Sequence, residues 1–172
     1  MAVAGVLPAE IVDMEKAPNI QISLCAVQRA IALGMYGAAY EILRDARIGH
    51  LDAERASFFL YFCSLGTDYS IRALIFRRYA AATLACSDFP KEYPDFFWQY
   101  LSGDNDLDKF SIRWNPSGYL QYLILMHSWA SALSCRADDI ELFLCSIAQK
   151  YSDKDGSINK GKLQNGVDLL NI

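Results

Sequence analysis

The 172-residue chain has only two histidines, His50 and His127, so any imidazole chemistry must run through one of them. His50 closes the segment RDARIGH, with five residues between it and Arg44. Gly49 before it points to a turn, and an imidazole at a helix end is favoured by the helix dipole. His127 sits in the apolar run LILMHSWA, close to Ser128 and Cys135, and reads as a core histidine with a satisfied hydrogen bond. The chain carries no Gly-x-Ser-x-Gly, Walker or dinucleotide-binding pattern. No catalytic residue is therefore assigned outside the Arg44 and His50 pair, and the reading leans away from an enzyme.

Other clusters carry groups with ligand chemistry. Asp104, Asp106 and Asp108 surround Asn105 and read as a solvated acidic loop. Asp153-Lys154-Asp155-Gly156-Ser157-Ile158 resembles the middle of an EF-hand loop. However, Tyr151 stands where the first acidic ligand belongs and Lys162 where the last one does, which removes the charge calcium needs. No metal and no cofactor are expected. Phe96, Phe97, Trp98 and Tyr100 form a dense aromatic group after a proline-rich turn. Phe96 and Trp98 are candidate anchors for a partner.

Composition bounds the rest. A chain of this length buries roughly 70% of the surface its unfolded form exposes and needs no staple. Five cysteines, Cys25, Cys63, Cys86, Cys135 and Cys145, follow no metal-ligand spacing. They read as small buried hydrophobes in a reducing compartment. The N-terminus lacks a signal-peptide pattern and no apolar run reaches a membrane span, so a cytoplasmic location, in a cell or an infected host, is expected. Net charge is −4 and the pI about 5.1, which argues against nucleic acid as a partner, because neutralising phosphates needs a basic surface. Residues 17–90 contain no lysine but carry Arg29, Arg44, Arg47, Arg55, Arg72, Arg77 and Arg78, beside enough acidic residues to pair with them. A hydrophobic fraction of 53% fits a core rich in Tyr and Phe or, as the alternative, apolar surface kept for a partner.

The elements that would position these residues are helical. Spacings of three and four predict helices over about 20–33, 37–47, 53–65, 68–85, 94–101, 116–134 and 139–150. Asp52 and Asn115 are predicted N-caps, with Pro116 at the first helical position. Asp138 or Asp139 is the predicted cap of the last of these helices. The 116–134 helix is apolar nearly all round and reads as the buried centre. The fold class is all-α: a single-domain bundle of six to seven helices with an N-terminal pair of stacked helical hairpins. Residues 1–19 form an irregular lead, 20–151 the helical domain, and 152–172 a polar, locally basic tail with a short helix at 166–170.

An internal echo runs through the first part. Ala39 and Ala73 are 34 residues apart, as are Ala46 and Ala80; Leu33-Gly34 and Leu65-Gly66 precede them. With Tyr36, Leu43 and Ala46 following Gly34, residues 20–82 resemble tetratricopeptide repeats. The resemblance implies protein binding in a groove lined by Gln21, Leu24 and Gln28, then Arg55, Phe58 and Phe62. Departures from the pattern include Ser23 and Ser57 at the early aromatic positions and Arg77 at a packing position.

The Arg44 and His50 spacing is similar to the Arg-x4–6-His motif of HEPN ribonucleases, which are also all-α. That resemblance implies a metal-independent endoribonuclease in which His50 moves protons and Arg44 stabilises phosphate charge. The leading expectation is instead a non-enzymatic protein–protein interaction module: an adaptor, chaperone-like or assembly factor whose partner is another protein or a second copy of itself. A viral or phage structural protein that self-assembles is a third expectation.

Overall fold

The computed structural model describes residues 20–48, 51–66, 71–88, 101–102, 111–112, 115–154 and 158–170. These form an all-α single-domain bundle. In chain order its elements are α1 (Ile20–Ala32), α2 (Tyr36–Asp45), α3 (Ala53–Ser64), α4 (Arg78–Cys86), β1 (Leu101–Ser102), β2 (Ser111–Ile112), α5 (Pro116–Leu133), α6 (Ala137–Lys150) and α7 (Lys160–Leu170).

The predicted punctuation holds for much of the bundle. Gly34, at φ 70°, turns α1 into α2. Its N–H donates to the Ile31 carbonyl at 2.9 Å, and that of Met35 donates to Ala30 at 2.8 Å. This pair of bonds satisfies carbonyls that a helix end leaves open. Tyr36, Ala39, Tyr40 and Leu43 line the buried face of α2. The Asp52 carboxylate accepts the Arg55 N–H at 2.8 Å and caps α3. Asn115 Oδ1 accepts from Ser117 at 3.0 Å and Gly118 at 3.3 Å, with Pro116 opening α5.

The core is knitted by aromatic pairs. Tyr40 stacks on Tyr119 and Phe76 on Tyr122, each with centroids 4.4 Å apart. The phenols reach for backbone: Tyr40 donates to the Ala53 carbonyl at 2.8 Å and Tyr119 to that of Leu74 at 2.7 Å.

Several elements differ from expectation. Among the described residues the helix predicted over 68–85 is helical only from Arg78; residues 72–77 lie in neither helix nor strand. Ala73, Leu74, Ile75 and Phe76 are all buried in succession. A run buried on every side has no solvent face for an amphipathic helix to present. Leu101 lies in β1, not in a helix, and pairs with Ile112; the remaining residues of that predicted helix are outside the described ones. α5 is buried on one face only, since Leu120, Ile124 and Leu133 are exposed. α6 starts at Ala137, and Asp139 caps it from inside by accepting the Arg136 N–H at 3.1 Å.

The tail contains a longer helix than expected. α7 buries Leu163 and Val167, one turn apart, with Ala82, Cys86, Ile147, Ala148 and Ile158 in a second apolar cluster. Among the cysteines, Cys86 and Cys145 are buried while Cys25, Cys63 and Cys135 are exposed, and all five are free thiols. No helix among the described residues is long and apolar enough to cross a membrane.

Candidate functional site

The buried segment 72–77, outside helix and sheet, poses a bonding problem. Its backbone N–H and C=O groups must find partners, and leaving one unmet costs about 1–3 kcal/mol. No strand pairs with residues 71–77 among those described. Side chains from three helices do the work. Ser57 of α3 accepts the Phe76 N–H at 2.8 Å while donating to the Glu54 carbonyl at 2.6 Å. Tyr119 of α5 holds the Leu74 carbonyl. Glu141 of α6 accepts the N–H groups of Ile75 and Arg77, and Glu54 accepts that of Arg78 where α4 begins.

His127 of α5 completes the set. Its Nε2 lies 3.1 Å from the Arg72 nitrogen and 2.9 Å from the Arg72 oxygen. An unprotonated Nε2 accepts from the amide; a protonated one donates to the carbonyl. Either way the ring fixes the Arg72 backbone.

Glu141 is only 3% exposed. Burial pushes its carboxyl up to about 8, and the positive charge of Arg77 only partly offsets this. Arg77 Nε stands 3.6 Å from Glu141 Oε1, beyond hydrogen-bond length. The carboxyl therefore holds its proton at neutral pH, and Arg77 faces a neutral acid there; the contact becomes an ion pair only once the carboxyl ionises above about 8. Burial also raises the phenols of Tyr119 and Tyr122 well above their ordinary value and the Cys145 thiol to about 12.

The segment forms one wall of a cleft of about 450 Å³, inside the roughly 300–1,000 Å³ range of small-ligand sites. Tyr61 and Leu65 enter from the end of α3, Arg72 and Leu74 from the non-helical segment, and His127 and Ser131 from α5. Cys135, Arg136 and Asp138 enter from the corner into α6. Arg136 grips Asp138 with two forked bonds, one of them at 2.9 Å from Nε. That corner is held by Ser134 in the left-handed region at φ 54°. The lining thus combines an aromatic face, two guanidinium groups, a carboxylate and an imidazole.

The residues singled out from sequence lie elsewhere. Gln21 and Gln28 are exposed on α1 and Leu24 is half-buried there. Arg55 is exposed, its Nε 4.0 Å from Asp52. Phe58 and Phe62 share a face of α3 with rings 4.7 Å apart, Phe58 half-buried and Phe62 exposed. None of these lines the cleft. Arg44 bonds to Asp45 at 2.9 Å and Glu41 at 3.2 Å, and the Asp45 bond raises its pKa further. His50, Phe96 and Trp98 lie outside the described residues.

Sequence reasoning missed Ser57, Arg72, Arg136, Asp138 and Glu141. A signal existed for two of them. Glu141 stands on the apolar stripe Ala137, Ile140, Leu144, Cys145 and Ala148, and Ser57 on the stripe Ala53, Ala56 and Leu60. A polar residue on a buried stripe demands a partner.

A family model described as "Putative 8-oxoguanine DNA glycosylase OGG-like protein" matches residues 7–145. No curated protein and no solved structure matches the chain. The family match overturns the expected adaptor, with its ribonuclease and self-assembly alternatives, and points to a role connected with DNA repair. It also overturns the exclusion of nucleic acid, together with the protein or second copy expected in its place. The exclusion failed for a physical reason: net charge averages the whole surface, whereas a base is read by a few groups in one cleft.

Proposed function

The chain belongs to this OGG-like family, and on that footing we propose that it acts in DNA repair by recognising an oxidised guanine base in the cleft. Proteins that do chemistry on a damaged base take it out of the stack, read its edge by hydrogen bonds and stack it on aromatic or apolar side chains. The observation that carries this reading is the mixed lining of the cleft. Tyr61 supplies an aromatic face, Leu65 and Leu74 apolar walls, Arg72 and Arg136 donors, and Asp138 an acceptor.

Oxidation of guanine at C8 converts N7 from an acceptor into an N–H donor and adds a carbonyl beside it. An adjoining carboxylate and guanidinium suit that edge: Asp138 accepts from N7–H and Arg136 donates to the C8 carbonyl. Unmodified guanine would set its N7 lone pair against the carboxylate. A site built to hydrogen-bond one form rejects the form that leaves its polar groups unpaired.

Fluorescence anisotropy with the full chain tests this, using two oligonucleotides that differ only in one 8-oxoguanine. The oxidised strand should bind at least about tenfold tighter, a difference of roughly 1.4 kcal/mol. Asp138→Ala should abolish the preference. Equal affinity of the wild-type chain for both strands would overturn the reading. Alkali treatment of the same samples reads excision: strand breaks at the oxidised base would extend the function from recognition to removal.

A further inference from the structure

We infer that the DNA taken by this cleft is unpaired at the oxidised base and is held through only one or two phosphates. This rests on the proposed base recognition and names its substrate class.

The argument is electrostatic. The whole chain carries 16 basic against 20 acidic residues, so long-range attraction for a duplex is lacking. Several of the described arginines already face carboxylates of the same chain. Arg44 lies with Glu41 and Asp45, Arg55 with Asp52, Arg77 with Glu141 and Arg136 with Asp138. Arg72 differs. It is exposed and lines the cleft, and it has no carboxylate partner among the described residues. Its backbone is clamped by His127, so its guanidinium starts from a fixed point at the cleft wall. One guanidinium can take one phosphate by a forked contact.

Extruding a base from a matched duplex has an energetic cost that is least for a mismatched or single-stranded base. Proteins that open duplexes draw much of their affinity from phosphate contacts and counterion release. A cleft with one unpaired arginine among its described residues has little of that affinity to offset unpairing. It is therefore suited to a base that is already out of the stack.

Salt titration of the full chain tests the inference on three labelled probes: a single strand with one 8-oxoguanine, the same strand in a matched duplex, and the same strand facing a short unpaired bubble. Single-strand affinity should fall only about threefold to sevenfold between roughly 50 and 200 mM salt, the drop for one or two phosphates. Single strand and bubble should bind at least about tenfold tighter than the matched duplex. Arg72→Gln should weaken single-strand binding and flatten the salt slope by about 0.7; Arg29→Gln, outside the cleft, should change neither. A matched duplex bound as tightly as the single strand would overturn this inference and leave base recognition standing, as would a salt loss of about a thousandfold. Failure of all three probes to bind would remove both.

Discussion

The α1–α2 hairpin and the non-helical segment 72–77 beneath the cleft solve the same problem in opposite ways. In the hairpin, backbone groups bond within the helices and the corner closes through Gly34. Its instructions are local: apolar residues at helical spacing and one glycine. In the segment, partners come from Ser57, Tyr119, His127 and Glu141, which lie far away in sequence. Its instructions are distributed over three helices. The cleft leans on the distributed region. A wall held by many polar contacts is set in one place, which a recognition site needs.

Glu141 offers the largest test of that contrast. Glu141→Ala should cost about 1–3 kcal/mol, because it leaves the buried N–H of Ile75 unmet, whereas the Arg77 N–H keeps the Ile75 carbonyl 3.0 Å away. Glu141→Gln keeps an acceptor and should cost less than about 1 kcal/mol. Urea unfolding measures both, and equal losses would mean that the carboxyl does not hold the segment. The pH dependence follows from the same site. The folded carboxyl titrates near 8 and the unfolded one near its ordinary 4.5, so between these values the folded state holds a proton that the unfolded state has released. Stability is therefore highest on the acid side and falls as pH rises, by up to about 1.4 kcal/mol per unit. The wild-type chain should be about 2 kcal/mol less stable at pH 8 than at pH 6, a difference that Glu141→Gln removes.

The same contrast explains what was legible in the sequence. α1, α2, α3 and α5 were readable because their periodicity, Gly34, Asp52 and Asn115-Pro116 are short-range signals. Residues 71–77 fit a helical reading as well, because Ile71, Leu74 and Ile75 also match a period of 3.6, and a short apolar run does not reveal its state by spacing alone. The cleft was not legible because its groups meet only through the non-helical course of residues 72–77. Arg72 and His127 are 55 positions apart and in contact. The signal that was present, Glu141 and Ser57 on apolar stripes, announces a buried partner without naming it.

A second test sets one hydrogen bond from each region against the other. Tyr40→Phe removes the bond to Ala53 in the hairpin region, and His127→Ala removes the clamp on Arg72. Each should cost about 1 kcal/mol of stability. Their effects on oligonucleotide binding should separate: Tyr40→Phe leaves affinity unchanged, while His127→Ala releases Arg72 and weakens binding several-fold. His127→Gln, which can both donate and accept, should restore most of the loss. Equal effects of Tyr40→Phe and His127→Ala on affinity would show that the clamp is merely structural.

The smallest test compares the two corners. Gly34 and Ser134 both sit in the left-handed region, at φ 70° and 54°. They close their helices with the same pair of bonds, Met35 to Ala30 at 2.8 Å and Cys135 to Ala130 at 3.0 Å. Glycine adopts this conformation without the Cβ penalty that serine incurs, about 1 kcal/mol. Ser134→Gly should therefore stabilise the chain by about 0.5–1 kcal/mol, and Gly34→Ser should destabilise it by a similar amount. Ser134, however, leads directly into Cys135, Arg136 and Asp138 of the cleft. A glycine there loosens the unfolded chain and also the corner that aims Arg136. If the cleft depends on that aim, Ser134→Gly raises the melting temperature while lowering the preference for the oxidised base. A gain in both would show that the corner serves stability alone.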